Sequence, residues 1–199
     1  MPIIQLQYSH GALSHDRKAD LAQRLTQVLL AMEGNAKTAA GLAFASVLFN
    51  ESAPGDWWVA GHTDTVGHHL PGHFIARVAI PEGYMNQAHK SEVHTKVHKA
   101  IAESACQVFP AVSVPHALVI IEEIPEGNWG SQGQTIGMAS IAKAVGLPAN
   151  GERFAWVKSY FAAKARQFAA AGYPADVGGL MAADASGAQS GVAYLSNNT

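Results

Sequence analysis

Glu51-Ser52-Ala53-Pro54-Gly55-Asp56-Trp57-Trp58-Val59-Ala60-Gly61 and Glu123-Ile124-Pro125-Glu126-Gly127-Asn128-Trp129-Gly130-Ser131-Gln132-Gly133 share Glu, Gly, Trp and Gly at matching places. The offset between them is 123 − 51 = 72, and it holds without a gap from Pro2 against Phe74 to Thr63 against Thr135. Eleven of those 62 aligned positions are identical, among them Gly11 with Gly83 and Lys18 with Lys90. Self-similarity at a fixed period means one supersecondary unit used twice.

Each unit reads as β-α-β. Pro2 to Tyr8 is a strand and Ser9-His10-Gly11 a turn, with Ser14 as the N-cap of a helix. Leu21, Leu25, Val28 and Leu29 recur at three- and four-residue spacing, which predicts a helix to about Met32 that stops at Gly34. Ala43 to Phe49 has strand length and composition. In the second unit the strand Phe74 to Ile80, a helix with Val93, Val97 and Ile101, and the strand Ala117 to Ile121 follow in the same order. A right-handed crossover makes the two strands of each unit parallel.

Ile4, Leu6 and Tyr8 alternate with Ile3, Gln5 and Gln7, and Ala76, Val78 and Ile80 with Ile75, Arg77 and Ala79. One side of the sheet therefore packs on helices and the other is left open, with another subunit as its simplest cover. The expectation is an α/β (α+β) fold. Tandem β-α-β repeats, 2–63 and 74–135, form a four-stranded sheet with two helices on one face, within a unit spanning 1–140. Residues 141–199 add a C-terminal helix, capped by Asn150 and running Gly151 to Ala171 with Phe154, Val157 and Phe161 on one stripe, then a flexible Ala/Gly/Ser-rich arm.

Composition narrows the partners. With 199 residues, a net charge of −2 and 14% charged residues, there is no basic footprint for nucleic acid and no polybasic membrane patch. No signal-like segment or long apolar run is present, and the single Cys106, among apolar neighbours, reads as a buried thiol in a reducing, cytoplasmic setting. Ten histidines include the i, i+4 pair His94 and His98 and a linker group at His62, His68, His69 and His73. The pair lacks the carboxylate of a zinc-binding His-Glu-x-x-His pattern, so no metal is expected.

The Met1-Pro2-Ile3-Ile4 start, the tandem units and the Glu-x-x-x-Gly-x-Trp-x-x-x-Gly loops together resemble the tautomerase superfamily. The resemblance covers residues 2 to about 140 and is nearest to 4-oxalocrotonate tautomerase and the cis-3-chloroacrylic acid dehalogenase-like proteins with two fused units. It implies a homotrimer, no cofactor, and Pro2 as general base once Met1 is removed, because an acylated proline nitrogen is an amide without basicity. It also implies Trp57 as an aromatic pocket wall. The arginines of such sites are missing: Ala12, Leu13, Ser46, Pro81 and Tyr84 stand in their places, and Ile120 and Ser131 stand where the dehalogenase has tyrosine and glutamate.

A dianionic substrate and hydrolytic dehalogenation lose their groups with them. What remains suits keto-enol proton transfer on a small carbonyl compound or mono-acid, an isomerase reaction of tautomerase type. Pro2 is its base, Trp57 and Tyr84 line the pocket, and Arg77, Ser46 and His10 are polar contacts. The alternatives are a trimeric scaffold or binding protein without activity, and a decarboxylase or hydratase of the same superfamily.

Overall fold

The computed structural model describes residues 2–32, 39–63, 72–105, 116–148 and 150–181. Met1, Cys106, His68, His69 and the arm beyond 181 fall outside the described residues. Strands β1 (Ile3–Ser9), β2 (Ser46–Ser52), β5 (His73–Pro81) and β6 (His116–Ile124) form one sheet in the order β2-β1-β5-β6. β1 runs parallel to β2, β5 parallel to β6, and the two units meet where β1 lies antiparallel to β5 with Gln5 opposite Arg77. This is the four-stranded, two-unit α+β sheet that the repeat predicts.

Helices α1 (His15–Met32) and α3 (Gln87–Ala105) cover one face. Their apolar stripes, Leu21, Leu25 and Leu29 on α1 and Val93, Val97 and Ile101 on α3, meet the inward row Ile4, Leu6, Tyr8, Ala76, Val78 and Ile80, all nearly inaccessible to water. Burying one such leucine is worth about 1.5–3 kcal/mol. The helices lie antiparallel: Arg17 Nη1 near the start of α1 donates to the Ala105 carbonyl at 3.1 Å, and Ser104 Oγ donates to Asp20 Oδ2 at 2.8 Å. On the opposite face Leu48 and Leu118 are 44% and 58% exposed, and Arg77 pairs with Glu122 there.

The shared residues of the two loops now have physical reasons. Glu51 accepts hydrogen bonds from the Gly11 backbone N–H at 2.9 Å and Lys18 Nζ at 3.2 Å. Glu123 accepts from the Gly83 N–H at 3.3 Å and Lys90 Nζ at 2.6 Å. In each unit a carboxylate at the end of the second strand thus ties down the first turn and the first turn of the helix. The Gly11 hydrogen bond, helped by Lys18 and Tyr8, holds the Glu51 carboxyl below its ordinary range. Beyond each clamp a two-residue turn, Ala60-Gly61 or Gln132-Gly133, takes positive φ at both positions and closes a short hairpin, β3 (Trp58–Val59) with β4 (His62–Thr63) and β7 (Gly130–Ser131) with β8 (Gln134–Thr135).

Three expectations are corrected. Ala43 and Phe44 close a short helix, α2 (Ala39–Phe44), so β2 starts only at Ser46. Gly151, not Asn150, is the N-cap of α5 (Glu152–Ala170), and no side chain caps it. A further helix, α4 (Met138–Ala144), precedes it, and its first N–H is served from a distance: both oxygens of the buried Glu126 accept from the Met138 N–H, at 2.9 and 3.0 Å. Burial pushes the Glu126 carboxyl up, and that hydrogen bond only partly offsets it.

Candidate active site

Because β1 and β5 are antiparallel, the start of β1 lies beside the end of β5. Pro2, Ile80, Pro81, Tyr84 and Met85 therefore gather at one end of the sheet, joined by Met32 from the end of α1. Ile141 of α4 and Val145, its C-cap, complete a cavity of about 10 Å³. That is room for about one water. No charged side chain lines it.

The C-terminal helices are fastened onto this end by the turn between β5 and α3. Glu82 accepts from Lys164 Nζ at 2.7 and 2.8 Å and from Tyr160 Oη at 2.7 Å, with Glu82 and Lys164 only 14% and 16% exposed. Burial alone would raise the Glu82 carboxyl, but its hydrogen bonds to Lys164 and Tyr160 hold it below the ordinary range. Burial and the Glu82 carboxylate push the Tyr160 hydroxyl up to about 12. The Tyr160 ring also packs against Gly83, where an added Cβ would meet its Cδ1 at 2.3 Å. From the same helix, the Arg153 guanidinium stands 5.0 Å from the centre of the Tyr84 ring and donates to the Met32 carbonyl at 2.6 Å.

Of the residues singled out from sequence, the structure brings Pro2 and Tyr84 together. Trp57 and His10 are at the other end of β1, a strand length of about 20 Å away at ~3.3 Å per residue. Trp57 stacks on His73 at 5.6 Å, and His10 Nδ1 lies 2.9 Å from Glu51 Oε1. Arg77 is half-exposed at mid-strand on the open face, in its pair with Glu122 at 2.5 Å. Ser46 lies opposite Ile3, near Pro2 in register but exposed on β2. Sequence reading passed over Met32, Met85, Ile141, Val145 and Arg153. A signal for Arg153 existed in its position one turn from the buried Phe154–Val157 stripe, but nothing in the sequence says where that helix docks.

No family model and no curated protein matches the sequence. Solved structures do. A fused 4-OT wild type symmetric trimer aligns with a TM-score of 0.53 at 16% identity, over 70% of this chain and 98% of its own. An asymmetric fused 4-OT trimer gives 0.53 at 19%, over 71% of this chain and 98% of its own. A member of the cis-3-chloroacrylic acid dehalogenase family gives 0.53 at 18%, over 85% of this chain and 99% of its own. The first two shares correspond to about the length of the two repeats, and the third is longer. No helix among the described residues is long and apolar enough to cross a membrane.

Proposed function

We propose that this chain, which has the tautomerase-superfamily fold of those fused structures, is a cofactor-independent tautomerase with Pro2 as its general base. The observation that carries the reading is the placement of Pro2 in an apolar cavity at the sheet end. Once Met1 is removed, a secondary amine among Ile80, Met85 and Ile141 has lost the water that stabilises its charged form. Its pKa falls, and it is a free base at neutral pH. In ketonisation its lone pair takes the enol O–H proton while the oxygen electrons form the carbonyl and the C=C π-pair is freed at carbon. The resulting ammonium returns a proton to that carbon, so nothing is consumed and no cofactor is needed.

The cavity has room for about one water, so a carbonyl substrate enters when a wall such as α4, with Ile141 and Val145, draws back. Helix α4 is short, with seven residues, and its Met138 N–H is held by Glu126 from outside the helix. A homotrimer completes the reading: the uncovered face presents Leu48 and Leu118, and the fused 4-OT neighbours are trimers.

The test is ketonisation of phenylpyruvate, a mono-acid, by wild type and Pro2→Ala. Loss of about 10²–10⁴-fold in the variant is expected, the usual worth of a positioned base. The closed cavity favours one other reading, a trimeric binding protein without activity. Ketonisation no faster than the uncatalysed rate with wild type and variant alike, in a protein that is trimeric by light scattering, would decide for it.

A further inference from the structure

Next to the Pro2 cavity, with Met32 and Met85 as shared walls, lies a second cavity of about 30 Å³, lined on one part by Val28, Ala31 and Val93 and on another by the polar His89, Glu92 and Lys96 of α3 and Arg153 of α5. Lys96 and Glu92 neutralise each other at 2.6 Å. Arg153 has no carboxylate within ion-pair distance among the described residues; its partners are the Met32 carbonyl and the Tyr84 ring. His89 Nδ1 is buried without a hydrogen-bond partner. The pocket therefore holds one net positive charge, guanidinium N–H groups not used by Met32, and an unanswered imidazole nitrogen. A buried polar group of that kind is costly unless something completes it.

We propose that this pocket binds the carboxylate of a short-chain monocarboxylic acid whose apolar remainder reaches the Pro2 cavity, with Arg153 and His89 as its positioning residues. One anionic oxygen pair satisfies Arg153 by charge-assisted hydrogen bonds and gives His89 Nδ1 its partner. Met32 and Met85, unbranched and easily moved, line both cavities, so one ligand can span both. On the other side, no charged side chain lines the Pro2 cavity, which suits the uncharged end of the same molecule. The inference rests on the Pro2 reading only for the ligand's chemistry at its far end; the anion pocket stands without it.

Butyrate and the isosteric, uncharged butyramide are the probes, titrated against the full chain with binding followed by ligand-observed NMR. Wild type should bind butyrate at least about tenfold more tightly than butyramide. Arg153→Gln should erase that preference, Arg153→Lys should restore part of it, and His89→Phe should weaken butyrate alone. Pro2→Ala should keep the full preference, so a failed base hypothesis and a failed anion pocket give different results. If ketonisation is observed, Arg153→Gln should raise KM for an acid substrate while leaving kcat near wild type. The proposal is overturned if wild type does not distinguish the two probes or binds neither. It is equally overturned if Arg153→Gln, with unchanged melting temperature, keeps the preference.

Discussion

The two turns that follow the first strand of each repeat, His10-Gly11-Ala12-Leu13 and Glu82-Gly83-Tyr84-Met85, differ everywhere except at glycine. Both glycines have nearly the same backbone, φ 72° and 71°, and both give their N–H to the clamp glutamate. Around Gly11 lies open space, whereas around Gly83 stands a tyrosine ring from the C-terminal helix. Identities between the repeats mark what the fold needs twice. Differences mark what one end of the sheet does alone, and that end is the one with Pro2. Glu82 replaces His10 and receives Lys164 and Tyr160; Glu126 replaces Pro54 and caps α4; Tyr84 replaces Ala12 and lines the cavity. At the opposite end the place of Pro2 is taken by Phe74, 1% exposed and stacked on Tyr8 at 6.2 Å.

The glycine pair gives the largest contrast. Gly11→Ala costs only left-handed backbone strain, about 1–2 kcal/mol. Gly83→Ala carries the same strain and also drives Tyr160 aside, so it should be worse by more than 1 kcal/mol in denaturant unfolding and should raise hydrogen exchange in α5. Equal costs would mean that α5 does not pack on this turn.

Breaking the Glu82 cluster comes next. Glu82→Gln leaves Lys164 charged and nearly buried, a loss of about 1–3 kcal/mol, while His10→Gln at the equivalent place should stay within about 0.5 kcal/mol in the same unfolding experiment.

Acid sharpens the comparison further. Glu82 has a folded pKa below its unfolded value near 4.3, so its contribution is complete above that value and vanishes as pH falls through the folded pKa. Glu126 has the opposite sign: its raised folded pKa penalises the neutral-pH fold, and protonation on the way down from neutral relieves this. Thermal melting should therefore hold or rise slightly from pH 7 towards 5 and drop below about pH 4. In Glu126→Gln the upper limb should be flat and the lower limb retained.

The smallest difference is expected between the clamps themselves. Glu51→Gln and Glu123→Gln each weaken a charge-assisted bond to lysine while keeping an acceptor for glycine, about 1 kcal/mol apiece in denaturant unfolding. A clear inequality would show that the two clamps are not the same device.

Much of the fold could be read from residue spacing. Strand parity placed Ile4, Leu6 and Tyr8 inward, and the 72-residue offset announced the second unit, because core positions and tight turns constrain residue type locally. Helix α4 escaped notice since seven residues carry too little periodicity and its cap, Glu126, is twelve positions away from Met138. The cavity was legible only at Pro2 and Tyr84. Its remaining walls come from the end of α1 and from the C-terminal helices, whose docking depends on contacts between residues as remote as Glu82 and Lys164.

Titration of the Pro2 nitrogen by ¹⁵N NMR, in protein matured in its own host, tests the central claim most directly. A free secondary amine whose pKa lies below the ordinary α-amino value of about 8 is the predicted result. A nitrogen that does not titrate, because Met1 is still attached, or one that titrates at or above that value, would contradict it.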